Sequence, residues 1–196
     1  MIEFVKPASV RLVAGVGPLG SRHAGNPPLE AAEARSCSGS IARIRSRRRP
    51  EALNAYFDTS AVINLVVAED GSDLADELWD AAEVRISSQL LYPEARAALA
   101  ATARAGRIDR LSLHQAVADL DAATASMVLV GVDGALARHA GQLAEEHALR
   151  GCDAVHLATA LSSVARGTVV VSWDRDLAAA ALRCGYAVAP PLQAAG

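Results

Sequence analysis

Of the 22 acidic residues in the chain, four stand where packing alone is an uneasy account of them. Asp58, in AYFDTSAVI, closes a short apolar run at the kind of position where open parallel sheets place their ligands. Asp174, in VVVSWDRDL, repeats that placement after another apolar run, and both also suit the cap of a following helix. Asp153, in GCDAVHLATAL, shares a helical stripe with Leu157, Ala160 and Leu161, so its carboxylate is aimed at the core. Unpaired, such a group costs several kcal/mol, only part of which a helix N-terminus offsets. Glu94, in QLLYPEARAALAATAR, falls on a face with Leu90, Ala97, Ala98 and Ala101 while Arg96 and Arg104 point away, and Pro93 suits the first helical turn. For Glu94, a charge softened by the helix N-terminus is an equally good account.

If an α/β sheet brings the four to one cleft, their repulsion has to be answered. At about 4 Å and an effective dielectric near 20, each pair of like charges repels by about 4 kcal/mol. Either some of the acids protonate or a hard divalent cation neutralises them, and an all-oxygen set matches Mg²⁺ or Mn²⁺ rather than zinc. Other chemistries find little support: the chain has no GxxxxGK[ST] loop, no GxSxG elbow and no GxGxxG at a strand-to-helix turn. His156, three residues after Asp153, can assist the acids or simply pack. His114, His139 and His147 form no ligand pair of the HExxH kind.

The elements that would position these acids begin at Asn54, where short apolar runs start to alternate with longer helical stretches, the pattern of an α/β fold. Strands are expected at 54–57, 84–87, 127–130, 169–172 and 186–189, each apolar enough for a buried parallel sheet. Helices are expected near 60–68, 73–82, 90–105, 112–126, 133–147, 152–166 and 176–184. Gly106, Gly151, Gly167 and Gly185 read as their stops, at positions that favour positive φ. Leu74, Leu78 and Trp79 are expected to pack a helix on the sheet.

The 196 residues suffice for one domain, and charge divides the chain unevenly. Residues 1–57 carry nine basic and four acidic side chains, the remainder ten and eighteen. The first part is also rich in Gly and Pro and lacks an apolar period, so we expect residues 1–52 to form a largely disordered basic extension and 53–192 the folded domain. The run of Arg43, Arg45, Arg47, Arg48 and Arg49 is either a solvated tail or a contact for nucleic acid. No uncharged apolar run nears the roughly 18 residues of a membrane span, and Glu3, Gly15, Gly17 and Pro18 make a poor signal peptide. Cys37, Cys152 and Cys184 form neither a disulfide framework nor a zinc spacing, so a reducing cytoplasm is the expected compartment.

Taken together, DTSAVINL from Asp58, SSQLLYPEARAAL with Glu94, ALRGCDAVHLATAL with Asp153 and VVVSWDRDLAAAA with Asp174 resemble, in order and separation, the PIN domain. Within that group they resemble the VapC toxins of type II toxin–antitoxin pairs, over about residues 54–190. The resemblance implies a three-layer α/β/α domain around a parallel sheet, with Asp58, Glu94, Asp153 and Asp174 as a metal-binding, catalytic quartet. Ser60 would help Asp58, and Asp176 would join through water. It also implies a Mg²⁺-dependent endoribonuclease, with Mn²⁺ able to substitute, acting on transfer or ribosomal RNA, a VapB-like antitoxin as partner, and a homodimer. Asp58 and Asp153 would be direct ligands, Glu94 a ligand or the group that orients water, and Asp174 a ligand reached through water. Trp173 is bulky for its place and bears on access to the cleft. The competing readings are an RNA- or protein-binding module without turnover and a phosphohydrolase of small substrates. The excess of acid in the folded part argues against RNA binding, but much of that charge belongs to the quartet itself. Arg85, Arg96, Arg104, Arg107, Arg110 and Arg175 remain as candidate phosphate contacts.

Overall fold

A computed structural model describes residues 53–163 and 167–192, so the readings made for 1–52, the arginine run included, lie outside it. In chain order the elements are β1 (Leu53–Phe57), α1 (Thr59–Val66), α2 (Ser72–Ala81), β2 (Ala82–Ser88), α3 (Leu91–Arg104), α4 (Arg110–Ala125), β3 (Val128–Val130), α5 (Gly134–His147), α6 (Gly151–Ser163), β4 (Val169–Val171), α7 (Arg175–Arg183) and β5 (Ala187–Ala189). These match the expected elements to within a few residues at their ends. The strands form one parallel sheet in the order β3-β2-β1-β4-β5. In its centre Tyr56 is paired with Ile86 on one side and Val170 on the other.

Side-chain alternation along β1 divides the core between the two faces of the sheet. Tyr56 and Val170 pack with Leu136 and Leu143 of α5, Leu157 of α6 and Leu177 of α7. Ala55, Phe57 and Val171 pack with Val62 and Val66 of α1, Leu91 and Leu99 of α3 and Leu120 of α4. Trp79 of α2 joins the second group, its ring edge-on to Phe57 at 5.2 Å. The three-layer α/β/α architecture is therefore present. At about 1.5–3 kcal/mol for each large apolar side chain buried, these two clusters hold the helices to the sheet.

Two local expectations need correction. The buried stripe of α3 is Leu91, Ala95 and Leu99, one position further along than expected, while Ala97 and Ala101 are exposed. Glu94 consequently lies on the flank of that stripe and is half-buried. Gly106, Gly167 and Gly185 take positive φ as expected, but Gly151 does not end a helix: it is the first residue of α6. The left-handed residue that ends α5 is Ala148 (φ 55), held there because the Leu149 N–H bonds the Ala144 carbonyl at 3.1 Å and the Leu149 side chain is buried. Burial and that bond outweigh the roughly 1–2 kcal/mol an L-residue loses in this conformation.

The strand order also marks where a site belongs. The chain builds outward from β1 through β2 to β3, then returns to lay β4 against the other side of β1. The carboxyl ends of β1 and β4 thus flank the point at which the order reverses, where open α/β sheets form their binding crevice. Asp58 follows β1 directly and Asp174 follows β4 by three residues.

Candidate active site

Asp58 and Asp174 do use the capping role that the sequence allowed, but each uses only one oxygen for it. Asp58 Oδ1 accepts the Ala61 N–H of α1 at 2.9 Å and the Ser60 hydroxyl at 2.7 Å, leaving Oδ2 to accept the Ser172 hydroxyl at 2.8 Å. Asp174 Oδ1 accepts the Asp176 and Leu177 N–H groups of α7 at 2.9 and 3.0 Å, leaving Oδ2 for the Arg150 guanidinium at 2.8 Å. Ser172 ties the two aspartates together, since its oxygen also accepts the Asp174 N–H at 3.0 Å. Ser60 stands beside Asp58 as expected and in turn accepts the Trp173 N–H at 2.7 Å.

Glu94 reaches the same region from the first turn of α3. Its Oε2 accepts the Thr59 hydroxyl at 2.6 Å and lies 2.8 Å from His156 Nε2. Behind the imidazole, the Tyr56 hydroxyl lies 2.8 Å from Nδ1. Burial, with the Asp58 charge adding to it, pushes the Tyr56 phenol well up, so it remains a hydrogen donor. Tyr56 O–H then donates to Nδ1, and Nε2 carries the hydrogen directed at Glu94, an assignment made by hydrogen-bond accounting. His156 therefore packs in the core, with 2% of its surface exposed, and also holds a site acid.

Asp153, in the first turn of α6, is buried as its stripe demanded, with 12% of its side chain exposed. Its carboxylate is gripped by Arg150, which donates Nε–H to Oδ2 at 2.7 Å and Nη2–H to Oδ1 at 3.2 Å. The same Nη2 donates to Asp174. Sequence reasoning missed this arginine, although the i, i+3 spacing of Arg150 and Asp153 in LRGCD was a usable signal. Among the arginines proposed as phosphate contacts, Arg85 is bound to the Trp79 carbonyl at 2.9 and 2.8 Å and Arg96 to the Tyr92 hydroxyl at 2.9 Å.

The acids thus meet in one network. Asp153 and Asp174 share Arg150, Asp58 and Asp174 share Ser172, and Glu94 is held by the neighbour of Asp58 and by a residue one turn beyond Asp153. Asp176 contributes its backbone N–H to the Asp174 cap, while its side chain is exposed. Trp173 leans over the turn before α2, where a β-carbon on Gly71 would run into its indole ring. Electrostatically the acids differ. Burial pushes the Asp58 carboxyl up, against the three hydrogen bonds from Ala61, Ser60 and Ser172 that favour its ionised form. For Glu94 burial acts in the same sense, but hydrogen bonds from His156, Thr59 and Cys152 outweigh it and hold the carboxyl down at about 2.

Among the described residues no three Asp, Glu, His or Cys side chains are grouped closely enough to cage a metal ion as they stand. In donor type the quartet nevertheless suits a hard divalent cation, and two of its members already share a positive group, the Arg150 guanidinium. The donor chemistry of the four carboxylates fits such an ion.

Comparison with known proteins agrees with the fold. The PIN domain is matched over residues 55–182, and the chain belongs to that family. Within it, the chain is a homologue of the VapC ribonucleases. It is 47% identical over 135 residues to ribonuclease VapC45 and, equally, to ribonuclease VapC49 of Mycobacterium tuberculosis, covering 69% of this chain and 94% of each relative. Ribonuclease VapC35 of the same species is 36% identical over 152 residues, 71% of this chain and 98% of that one. Among solved structures, Mycobacterium tuberculosis VapC20, described as a sarcin-ricin loop cleaving toxin, has the same fold, with a TM-score of 0.52 at 19% identity over 65% of this chain and 95% of that one. No helix of the described residues is long and apolar enough to cross a membrane.

Proposed function

We propose that this chain is the toxin of a type II toxin–antitoxin pair, and that its domain, residues 53–192, cleaves RNA internally with the help of Mg²⁺ or Mn²⁺. The observation that carries the reading is the gathering of Asp58, Glu94, Asp153 and Asp174 at the carboxyl edge of the sheet, two of them already bridged by a cation. When bound, the divalent ion lowers the pKa of a water and stabilises charge on the leaving oxygen. Asp58 and Asp153 would be direct ligands of the ion and Asp174 a ligand reached through water. Glu94, kept ionised by Thr59 and His156, would be a further ligand or would orient the attacking water. The caps on Asp58 and Asp174 fix the direction of each carboxylate before substrate arrives, which spares reorganisation at the moment of reaction.

The substrate class is a structured RNA with an exposed loop, transfer or ribosomal, since sequence-selective RNA recognition works chiefly on unpaired segments. A VapB-like antitoxin is the partner that covers the acids, and a second copy of the chain is the other partner. Exposed Val128 and Val132, at the end of the sheet formed by β3, supply apolar surface for a protein contact. Purified protein with Mg²⁺ should cut total RNA into discrete fragments and leave small phosphate esters intact. EDTA should abolish cleavage, and Asp153→Asn should lower the rate about a hundredfold or more. Intact RNA in every reaction from folded, antitoxin-free protein would favour a binding module, and hydrolysis of the small esters would favour the phosphohydrolase.

A further inference from the structure

We propose that Arg150 is a built-in competitor for the divalent ion: its guanidinium neutralises Asp153 and Asp174 in the metal-free chain and must leave them before the ion is held. The inference rests on the reading of the acids as a metal site. Arg150 makes three hydrogen bonds to the two carboxylates through Nε and Nη2, so both acids are engaged by one cation. A guanidinium and a divalent ion cannot occupy the same carboxylate oxygens, and beside each other they repel.

The surroundings show which partner is built to yield. Asp153 has 12% of its side chain exposed and Asp174 25%, whereas Arg150 has 75%. The carboxylates stay where the fold puts them, while the arginine head can return to water through side-chain rotation. The backbone need not follow. Leu149 anchors it on one side by burial and by its bond to Ala144, and Gly151 begins α6 on the other. Among the described residues Arg150 is also the only arginine that pairs with an acid of the quartet. The chain therefore carries a cation that keeps the acids from repelling one another when empty, and that raises the concentration of metal needed to load them.

The test is calorimetric titration of Mn²⁺ into full-length, metal-free wild type, Arg150→Ala and Arg150→Lys, with the melting temperature of each metal-free protein recorded as a check on folding. Arg150→Ala should bind Mn²⁺ about tenfold more tightly, a difference of about 1.4 kcal/mol. Arg150→Lys keeps the charge but loses the planar fork that spans two carboxylates, and should fall between them. Equal affinity in all three, or weaker binding by folded Arg150→Ala, would overturn the proposal. Absence of Mn²⁺ binding in every protein would instead remove the metal-site reading, and this inference with it. Because the Lys variant retains a cation at the site, it still decides the matter if the Ala variant fails to fold.

Discussion

Asp58 and Glu94 show how two carboxylates of one site come to have opposite relations to stability. Burial raises the folded pKa of Asp58, so its ionisation opposes folding. The stability it contributes is fully present below its unfolded value of 3.8 and is lost as pH rises through the folded pKa. Glu94 runs the other way: its contribution is present above its unfolded value of 4.5 and is lost as pH falls towards about 2. At pH 8, metal-free Asp58→Asn should therefore be more stable than the wild type. Asn caps a helix about as well as Asp, and the Ser172 hydroxyl can turn to accept from the new amide. With each 1 kcal/mol worth about 2–4 °C in a domain of this size, the gain should be a few degrees by calorimetry and should shrink as pH falls. It should be accompanied by loss of RNA cleavage. A fall in the metal-free melting temperature at pH 8 would mean that Asp58 is a structural carboxylate first.

At the scale of the elements, aspartate caps recur: Asp58, Asp109, Asp133 and Asp174 each accept an N–H at the start of a helix. Asp133 bonds only the Ala135 and Leu136 N–H groups, whereas Asp174 also bonds Arg150. Asp133→Ala should cost about 0.5–2 kcal/mol of stability and leave the cleavage rate unchanged, while Asp174→Ala should show a similar loss of stability and a large loss of rate. Chemical denaturation and a cleavage assay on the same samples would check this, and equal rates in the two variants would assign Asp174 to capping alone. Much of this layer was legible in the sequence, because short apolar runs and helix periods are local signals, and four acids in family order could be found one segment at a time. The exceptions have physical causes. The stripe of α3 slipped by one because Ala is compatible with either face, so Leu91, Ala95 and Leu99 declared themselves only against α1 and α4. The end of α5 fell where expected, but its left-handed residue was misassigned, because tertiary burial of Leu149 put that turn on Ala148, where the sequence offered a glycine three residues later. Arg150 went unnoticed because its second partner, Asp174, is 24 residues away and meets it only once α6 and α7 are packed.

For the whole molecule, the strand order does the work that no single segment can. Returning β4 to the far side of β1 brings the turn holding Asp174 beside the turn holding Asp58, and α3 and α6 deliver Glu94 and Asp153 to the same edge. Helices packed on both faces leave that edge as the place for chemistry. On the proposed function, the four acids act there as one metal centre. This is tested most directly by anomalous diffraction at the manganese edge from crystals of the protein grown with Mn²⁺. The expected result is an anomalous peak bonded at about 2.1 Å to carboxylate oxygens of Asp58 and Asp153, with Arg150 turned away from Asp153. A peak elsewhere on the protein, in crystals whose dissolved protein still cleaves RNA with Mn²⁺, would contradict it.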